Sequence, residues 1–426
     1  MHIAVIGSGI SGLSAAWLLA KVGGHHVTLF EKNAYLGGHT NTVDVTLDGV
    51  THPVDTGFLV FNDRTYPEMI QLFAHLGVEA APSDMSFSVK LTNAQGRSTL
   101  EWSGTNLRTV FAQTSNLFSP RFLGMLRDLL RFNKQTTQLA LSGRPLPGTL
   151  GQFLDDNGYG EAFRDWYLRP MAGCIWSTPT LTIDRFPLAN FIHFCHNHGL
   201  LAVSNRPQWK TVIGGGRDYV RRMATAIPDI RLNTVVERIE RDADAVRIFA
   251  GGETHRFDHV VCAGHSDQTL ALLADADEAE RAVLAAIPYQ SNRAVLHTDT
   301  GFLPERRMAW AAWNFHAPDA PEARTRPVAL SYLINQLQPL PFKTPVIVTL
   351  NPDKEFAPGT VIQSFDYEHP VFAEGSDVAQ QRVKDLQGKR RTWFAGAWTR
   401  YGFHEDGLMS GIAVAEGLGV KAPWKK

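Results

Sequence analysis

Only three cysteines occur in 426 residues, Cys174, Cys195 and Cys262, and no two of them form a CxxC pair. A redox dithiol of the reductase type is therefore excluded, and the sparse, odd count fits a reducing compartment. Charge of one sign is missing too. Lysine and arginine number 41 against 42 acids, a formal net charge of −1, so there is no electrostatic case for nucleic acid. No apolar run approaches the roughly 18 residues that cross a bilayer. The first strand pattern begins at His2, which leaves no room for a cleaved leader ahead of it. The expectation is a cytoplasmic protein, with contact at the inner face of a membrane left open. No repeat or low-complexity segment interrupts the chain. His193, His196 and His198 surround Cys195 but lack the paired spacing of a structural zinc site, so no metal is expected. A second GxGxxG is absent as well: Gly214-Gly215-Gly216 reads as a turn into a helix. That argues against an NAD(P)H domain and a pyridine-nucleotide reductase.

What the chain does contain is concentrated at its start. An apolar strand, Ile3 to Ile6, runs into Gly7-Ser8-Gly9-Ile10-Ser11-Gly12, then a helical pattern, then a second strand from Val27 to Phe30 ending at Glu31 and Lys32. This is the strand, glycine turn, helix, strand, acid unit of a dinucleotide-binding fold. Gly7 permits the tight turn, Gly9 admits a pyrophosphate, and Gly12 lets the helix pack close to the strand. The helix N-terminus with Ser11 offers free N–H groups to the phosphates. Glu31 follows at the spacing where a carboxylate takes the ribose hydroxyls.

Three further blocks choose between flavin and nicotinamide. Gly37-Gly38-His39-Thr40 is a second glycine pair. Gly57-Phe58-Leu59-Val60 follows it, and Gly396-Ala397-Trp398 leads to Phe403-His404-Glu405-Asp406-Gly407-Leu408-Met409 near the far end. With these blocks the chain resembles the FAD-dependent amine oxidase superfamily, which includes monoamine oxidases, carotenoid desaturases and fatty-acid double-bond isomerases. The run Arg307 to Phe315 and the block Ala395 to Gly411 resemble a bacterial subgroup linked to methylated or cyclopropane acyl chains.

The resemblance implies non-covalently bound FAD. Gly37, Gly38, His39 and Thr40 would lie by the phosphates and Gly57 to Val60 along the isoalloxazine. Val236 would sit against the adenine. Gly396, Glu405, Gly407, Leu408 and Met409 would place a helix N-terminus at the pyrimidine edge, where its dipole favours charge on the reduced ring. Two positions depart from the family pattern: His39 stands where an arginine is usual, and Ala397-Trp398 where an acid or threonine is usual. Phe403 matches an amine-cage tyrosine without its hydroxyl.

The implied architecture is α/β. A Rossmann-like, glutathione-reductase-type FAD domain with a parallel sheet is expected from residues 1–80, 205–270 and 385–426. An inserted α+β substrate domain with a mixed or antiparallel sheet is expected from 81–204 and 271–384. The expected reaction is hydride transfer to flavin N5 from a long apolar substrate, foremost desaturation or oxidation of a methylated fatty acyl chain. Double-bond isomerisation and amine oxidation are the alternatives, and a flavin-less binding protein is the non-enzyme reading. Phe111, Trp166, Trp176, Phe194 and Trp310 could line an acyl tunnel or serve as ordinary core. Catalytic candidates are His404 for proton transfer, with Phe403, Trp398 and Trp313 around the reacting centre. No motif names the electron acceptor among oxygen, a quinone and a partner flavoprotein. Residues 119–134 read as a basic amphipathic helix, suited either to a membrane surface or to packing on a core with its polar face in water.

Overall fold

The computed structural model describes residues 1–202, 206–372 and 375–425. The boundary drawn between 204 and 205 lies outside the described residues. The strand His2–Ile6 is the centre of a five-stranded sheet, in the order Asp229–Arg231, His26–Phe30, His2–Ile6, His259–Cys262, Thr392–Phe394. Every neighbouring pair in it is parallel. Ile3, Ala4 and Val5 are wholly buried, as expected of a strand covered on both faces. One face carries the helix Ile10–Trp17, with Leu13 and Ala16 packed on Ile3 and Val5. The other carries an antiparallel meander, Val236–Arg241, Val246–Ala250 and Glu253–Phe257, which packs Ile239, Ile248 and Phe257 on Ala4, Phe30 and Val260.

The C-terminal helix His404–Gly417 lies against the first helix. Its glycines explain the closeness. A methyl on Gly411 would collide with Ser14 Oγ and the Ser11 carbonyl, and one on Gly407 would come within 2.7 Å of Ile10.

A seven-stranded mixed sheet forms a second body of structure. Its order is Val361–Pro370, Tyr289–His297, Ile347–Leu350, Ala329–Leu333, Trp313–Pro318, Phe87–Thr92, Ser98–Ser103. The pairs are antiparallel except Trp313–Pro318 with Phe87–Thr92, which is parallel and joins two distant stretches of chain. The helices Pro120–Leu141, Arg169–Trp176 and Leu188–Asn197 share its core, through Phe122, Phe132, Met171 and Phe191 with Phe315 and Leu330. The expected fold class, a parallel dinucleotide-type sheet plus a mixed sheet with helices, is what the structure contains.

The basic helix expected over 119–134 runs further, to Leu141. Ser119 caps it by accepting from Phe122 N, and Pro120 opens its first turn. Among the described residues no helix is long and apolar enough to cross a membrane.

Candidate active site

The glycine turn forms at the C-terminal edge of the parallel sheet. Gly7 takes φ +96°, a value open to glycine, and a methyl on it would press on the Ala263 carbonyl at 3.1 Å. A methyl on Gly12 would collide with the Gly7 carbonyl oxygen, so that position serves close packing. Gly9 differs: a methyl there meets nothing within 4 Å, and the same holds at Gly264 across the turn. The second glycine pair closes the same space. Gly37 N donates to the Ser8 carbonyl at 3.1 Å, and a methyl on Gly38 would sit 3.1 Å from Gly9 Cα. Glu31, 5% exposed, accepts from Ser8 N at 3.0 Å and Ser8 Oγ at 2.6 Å through one oxygen, and from Asn33 N at 2.8 Å through the other. Thus the acid is held at the turn, while Lys32 beside it is exposed. Val236 opens the meander and is buried.

A polar centre connects three of the sequence blocks. His404 Nε2 lies 2.7 Å from Tyr219 Oη and 3.1 Å from Thr40 Oγ1, and the latter two are 2.5 Å apart. The His404 ring stacks on Phe58 at 3.9 Å and 10°. Burial drives the imidazole down to about 3, so it is neutral at physiological pH. His39 anchors the backbone of the same region, its carbonyl accepting from Phe58 N at 2.8 Å.

The acids of the C-terminal block hold structure in place. Glu405 reaches the start of the helix Pro67–Leu76, accepting from Glu68 N at 2.8 Å and Met69 N at 3.0 Å. Burial raises its carboxyl to about 7. Asp406 accepts from Phe403 N at 3.0 Å and closes its own helix's first turn. Gly396 N donates to Ser410 Oγ at 2.9 Å, Leu408 is wholly buried, and Met409 Sδ lies 3.2 Å from Arg400 Nη1. The chain from Leu59 to Val60 is buried, with the Leu59 carbonyl accepting from Thr211 Oγ1 at 2.9 Å.

The aromatic candidates separate. Phe403 stacks on Phe194 at 4.9 Å, and Phe194 packs on Trp176 at 4.7 Å. Trp398 is buried among Phe394, Val383 and Leu386, and its indole occupies the space a side chain on Gly396 would need. Trp313 meets Tyr332 edge-on at 5.0 Å. The indole N–H groups of Trp398 and Trp313 are both buried without a partner.

Sequence reasoning passed over several residues of this region. Tyr219 lies in the helix Arg217–Ala224 that follows the Gly214–Gly216 turn, and its hydroxyl completes the His404 centre. Asp55 ties the turn at Gly216 to the hairpin: it accepts from Gly216 N at 3.0 Å, Thr42 Oγ1 at 2.5 Å and Gln338 Nε2 at 2.6 Å. Burial still lifts its carboxyl to about 6. His265 and His369 lie beside His39.

An open space at Gly9 and Gly264, a helix N-terminus, a held acid and a buried unpartnered His39 Nε2 fit the pyrophosphate and ribose of FAD. A family model described as flavin containing amine oxidoreductase matches residues 10–418. The chain belongs to that family, a class of FAD-dependent oxidoreductases. It is 26% identical over 279 residues to a Dictyostelium discoideum protein named "Probable flavin-containing monoamine oxidase A", covering 61% of this chain and 56% of that protein. It is 43% identical over 63 residues to a Staphylococcus aureus 4,4'-diapophytoene desaturase (4,4'-diaponeurosporene-forming), covering 15% of this chain and 12% of that protein. The match therefore spans about half the length of the first relative and a small part of the second. Among solved structures, the CLA-producing fatty acid isomerase from P. acnes is similar at TM-score 0.65 and 16% identity, covering 97% of this chain and 98% of that one. At that identity the likeness is one of fold.

Proposed function

We propose that this chain acts on a long apolar substrate, and that a fatty acyl chain, in its sharpest form the methylated acyl chain of a phospholipid, is desaturated or oxidised there. The observation that carries the reading is the wall behind Phe403. Phe194, Trp176 and Phe186 continue it into the core, and His198, 5.6 Å from Phe403, is pushed down to about 4 by burial. That surrounding is aromatic and carries no hydroxyl at the Phe403 position. Each buried methylene contributes about 0.8 kcal/mol, so an acyl chain laid against such a wall would be held by apolar contact.

FAD, bound without a covalent link, supplies the two-electron acceptor. The chain's own part is to orient the reacting carbon, exclude water and hold a proton. His404, neutral and shared between Tyr219 and Thr40, is the group we assign to that last role. The relatives named for a desaturase and for a fatty acid isomerase support an unsaturated lipid, and the isomerase fold keeps double-bond migration as the second reading. Amine oxidation is the runner-up, supported by the relative named for a monoamine oxidase.

A lipid surface is the partner we propose for the helix Pro120–Leu141. Phe118 is 85% exposed, Leu107 78%, and Leu123 and Leu130 stand out beside Arg121, Arg127 and Lys134. The one acid of that stretch, Asp128, is turned inward and buried. The test of the substrate is product analysis. Holoenzyme is incubated with vesicles of phospholipids bearing methylated unsaturated chains, and the acyl chains are then weighed by mass spectrometry. Loss of two hydrogens, or a displaced double bond at unchanged mass, is expected. Unaltered lipid beside turnover of simple amines would overturn the reading.

A further inference from the structure

Three histidines from three remote parts of the chain meet beside the glycine turn. His39 follows Gly38, whose Cα position abuts Gly9; His265 follows Gly264, which faces Gly7. His369 comes from the strand Val361–Pro370 of the mixed sheet, with its ring centroid 5.2 Å from that of His39. Tyr367 stacks on His39 at 5.1 Å, and Tyr289 stacks on His265 at 4.2 Å. One ring nitrogen, His39 Nε2, is sealed from solvent without a hydrogen bond, while His265 Nδ1 is buried with only the Glu368 carboxylate near it. Leaving the His39 nitrogen unpaired costs roughly 1–3 kcal/mol, so a missing partner is called for. His369 Nδ1 is 3.0 Å from Asn292 Nδ2, whose amide donates, so the neutral ring carries its proton on Nε2.

We propose that His39, His265 and His369 form a titrating cradle for the pyrophosphate of FAD, and that binding the cofactor takes up a proton onto this cluster. A pyrophosphate diester brings two fixed negative charges. The helix Ile10–Trp17 offers a partial positive end, but a buried dianion beside neutral imidazoles that can each accept a proton shifts their balance toward the charged form.

The charged neighbours are few. Lys32 repels and Asp267 attracts a proton on His265, and Glu368 Oε2 lies 3.3 Å from its Nδ1. His404 faces His39 from the C-terminal helix and is itself neutral. Without the anion, burial and mutual repulsion hold His39 down at about 4 and His369 at about 3, so the empty cradle is uncharged at pH 7. The sign follows. FAD affinity is greatest and level below the empty cluster's pKa. It falls as pH rises from there to the pKa of the complex, by up to about tenfold per pH unit per proton, and levels off above.

The test uses apoprotein and FAD, by titration calorimetry from pH 5.5 to 8.5 in buffers of different ionisation enthalpy. Wild type is expected to take up a substantial fraction of a proton at pH 7, with Kd worsening as pH rises. His39→Arg, a fixed charge, is expected to bind with little pH dependence and reduced uptake. His39→Gln and His369→Gln are expected to bind more weakly and to flatten the pH profile, with melting curves showing that each variant is folded. A wild-type Kd that is level across the range with no proton uptake overturns the proposal, as does uptake that survives intact in both glutamine variants. These readouts do not depend on the substrate, so they fail or hold independently of the acyl-chain reading.

Discussion

Gly9→Ala separates cofactor binding from folding. Gly9 sits at φ −59° and ψ 171°, a conformation any residue adopts, and a methyl there meets nothing within 4 Å. The apoprotein should therefore keep its stability to within about 1 kcal/mol, a shift in Tm of no more than about 2 °C for a chain of this size. The same methyl projects into the space where the pyrophosphate must touch the backbone. Each charge-assisted hydrogen bond it breaks is worth about 1.5–3 kcal/mol, so each should weaken FAD binding about 10- to 100-fold. Gly12→Ala is the contrast, because its methyl collides with the Gly7 carbonyl and should cost folding itself. The assay pairs melting of apoprotein with FAD titration by flavin fluorescence. A Gly9→Ala protein that binds FAD as tightly as wild type would refute the placement of the cofactor.

Other outcomes follow from the same geometry. Gly411→Ala should lower apoprotein stability by a few kcal/mol in denaturant unfolding, since its methyl collides with the first helix. Glu405→Gln should remove a pH dependence of stability. A carboxyl raised to about 7 when folded favours the folded state at low pH, and that benefit is lost as pH rises through 7, by up to about 1.4 kcal/mol per pH unit. Melting of wild type and variant between pH 5.5 and 8.5 reads the difference. His404→Ala should stay yellow yet slow flavin reduction about 10²–10⁴-fold in stopped flow. Phe118→Ser with Arg127→Glu should release the protein from anionic vesicles in a sedimentation assay while leaving it folded, because both side chains are free of the core.

The first two strands of the parallel sheet were legible in the sequence because their signals are local, whereas Asp229–Arg231, His259–Cys262 and Thr392–Phe394 join them from remote segments. The glycine turn, the strands on either side of it and the helix after it each sit within a few residues of one another. Three strands of the mixed sheet could be seen as apolar runs, at 294–297, 328–333 and 345–350, but their partners could not. The parallel pairing of Trp313–Pro318 with Phe87–Thr92 joins segments separated by more than two hundred residues, and no periodicity encodes it. The same holds for the polar centre. Thr40, Phe58 and His404 stand in blocks with recognisable glycines, whereas Tyr219 lies on a helix whose pattern announces only a buried face. Glu405 reads as a residue of the flavin block, yet its carboxylate caps a helix that begins at Pro67, a contact set by tertiary packing. His265 and His369 acquire their meaning only from each other and from His39.

The most direct test of the central claim is the anaerobic reductive half-reaction. Oxidised holoenzyme is mixed, without oxygen, with a phospholipid extract in one sample and a panel of amines in another, and the flavin absorbance is followed. Bleaching by the lipid, with an acyl chain recovered two hydrogens lighter, is the predicted result. Bleaching by amines alone, with the lipid unchanged, would contradict it.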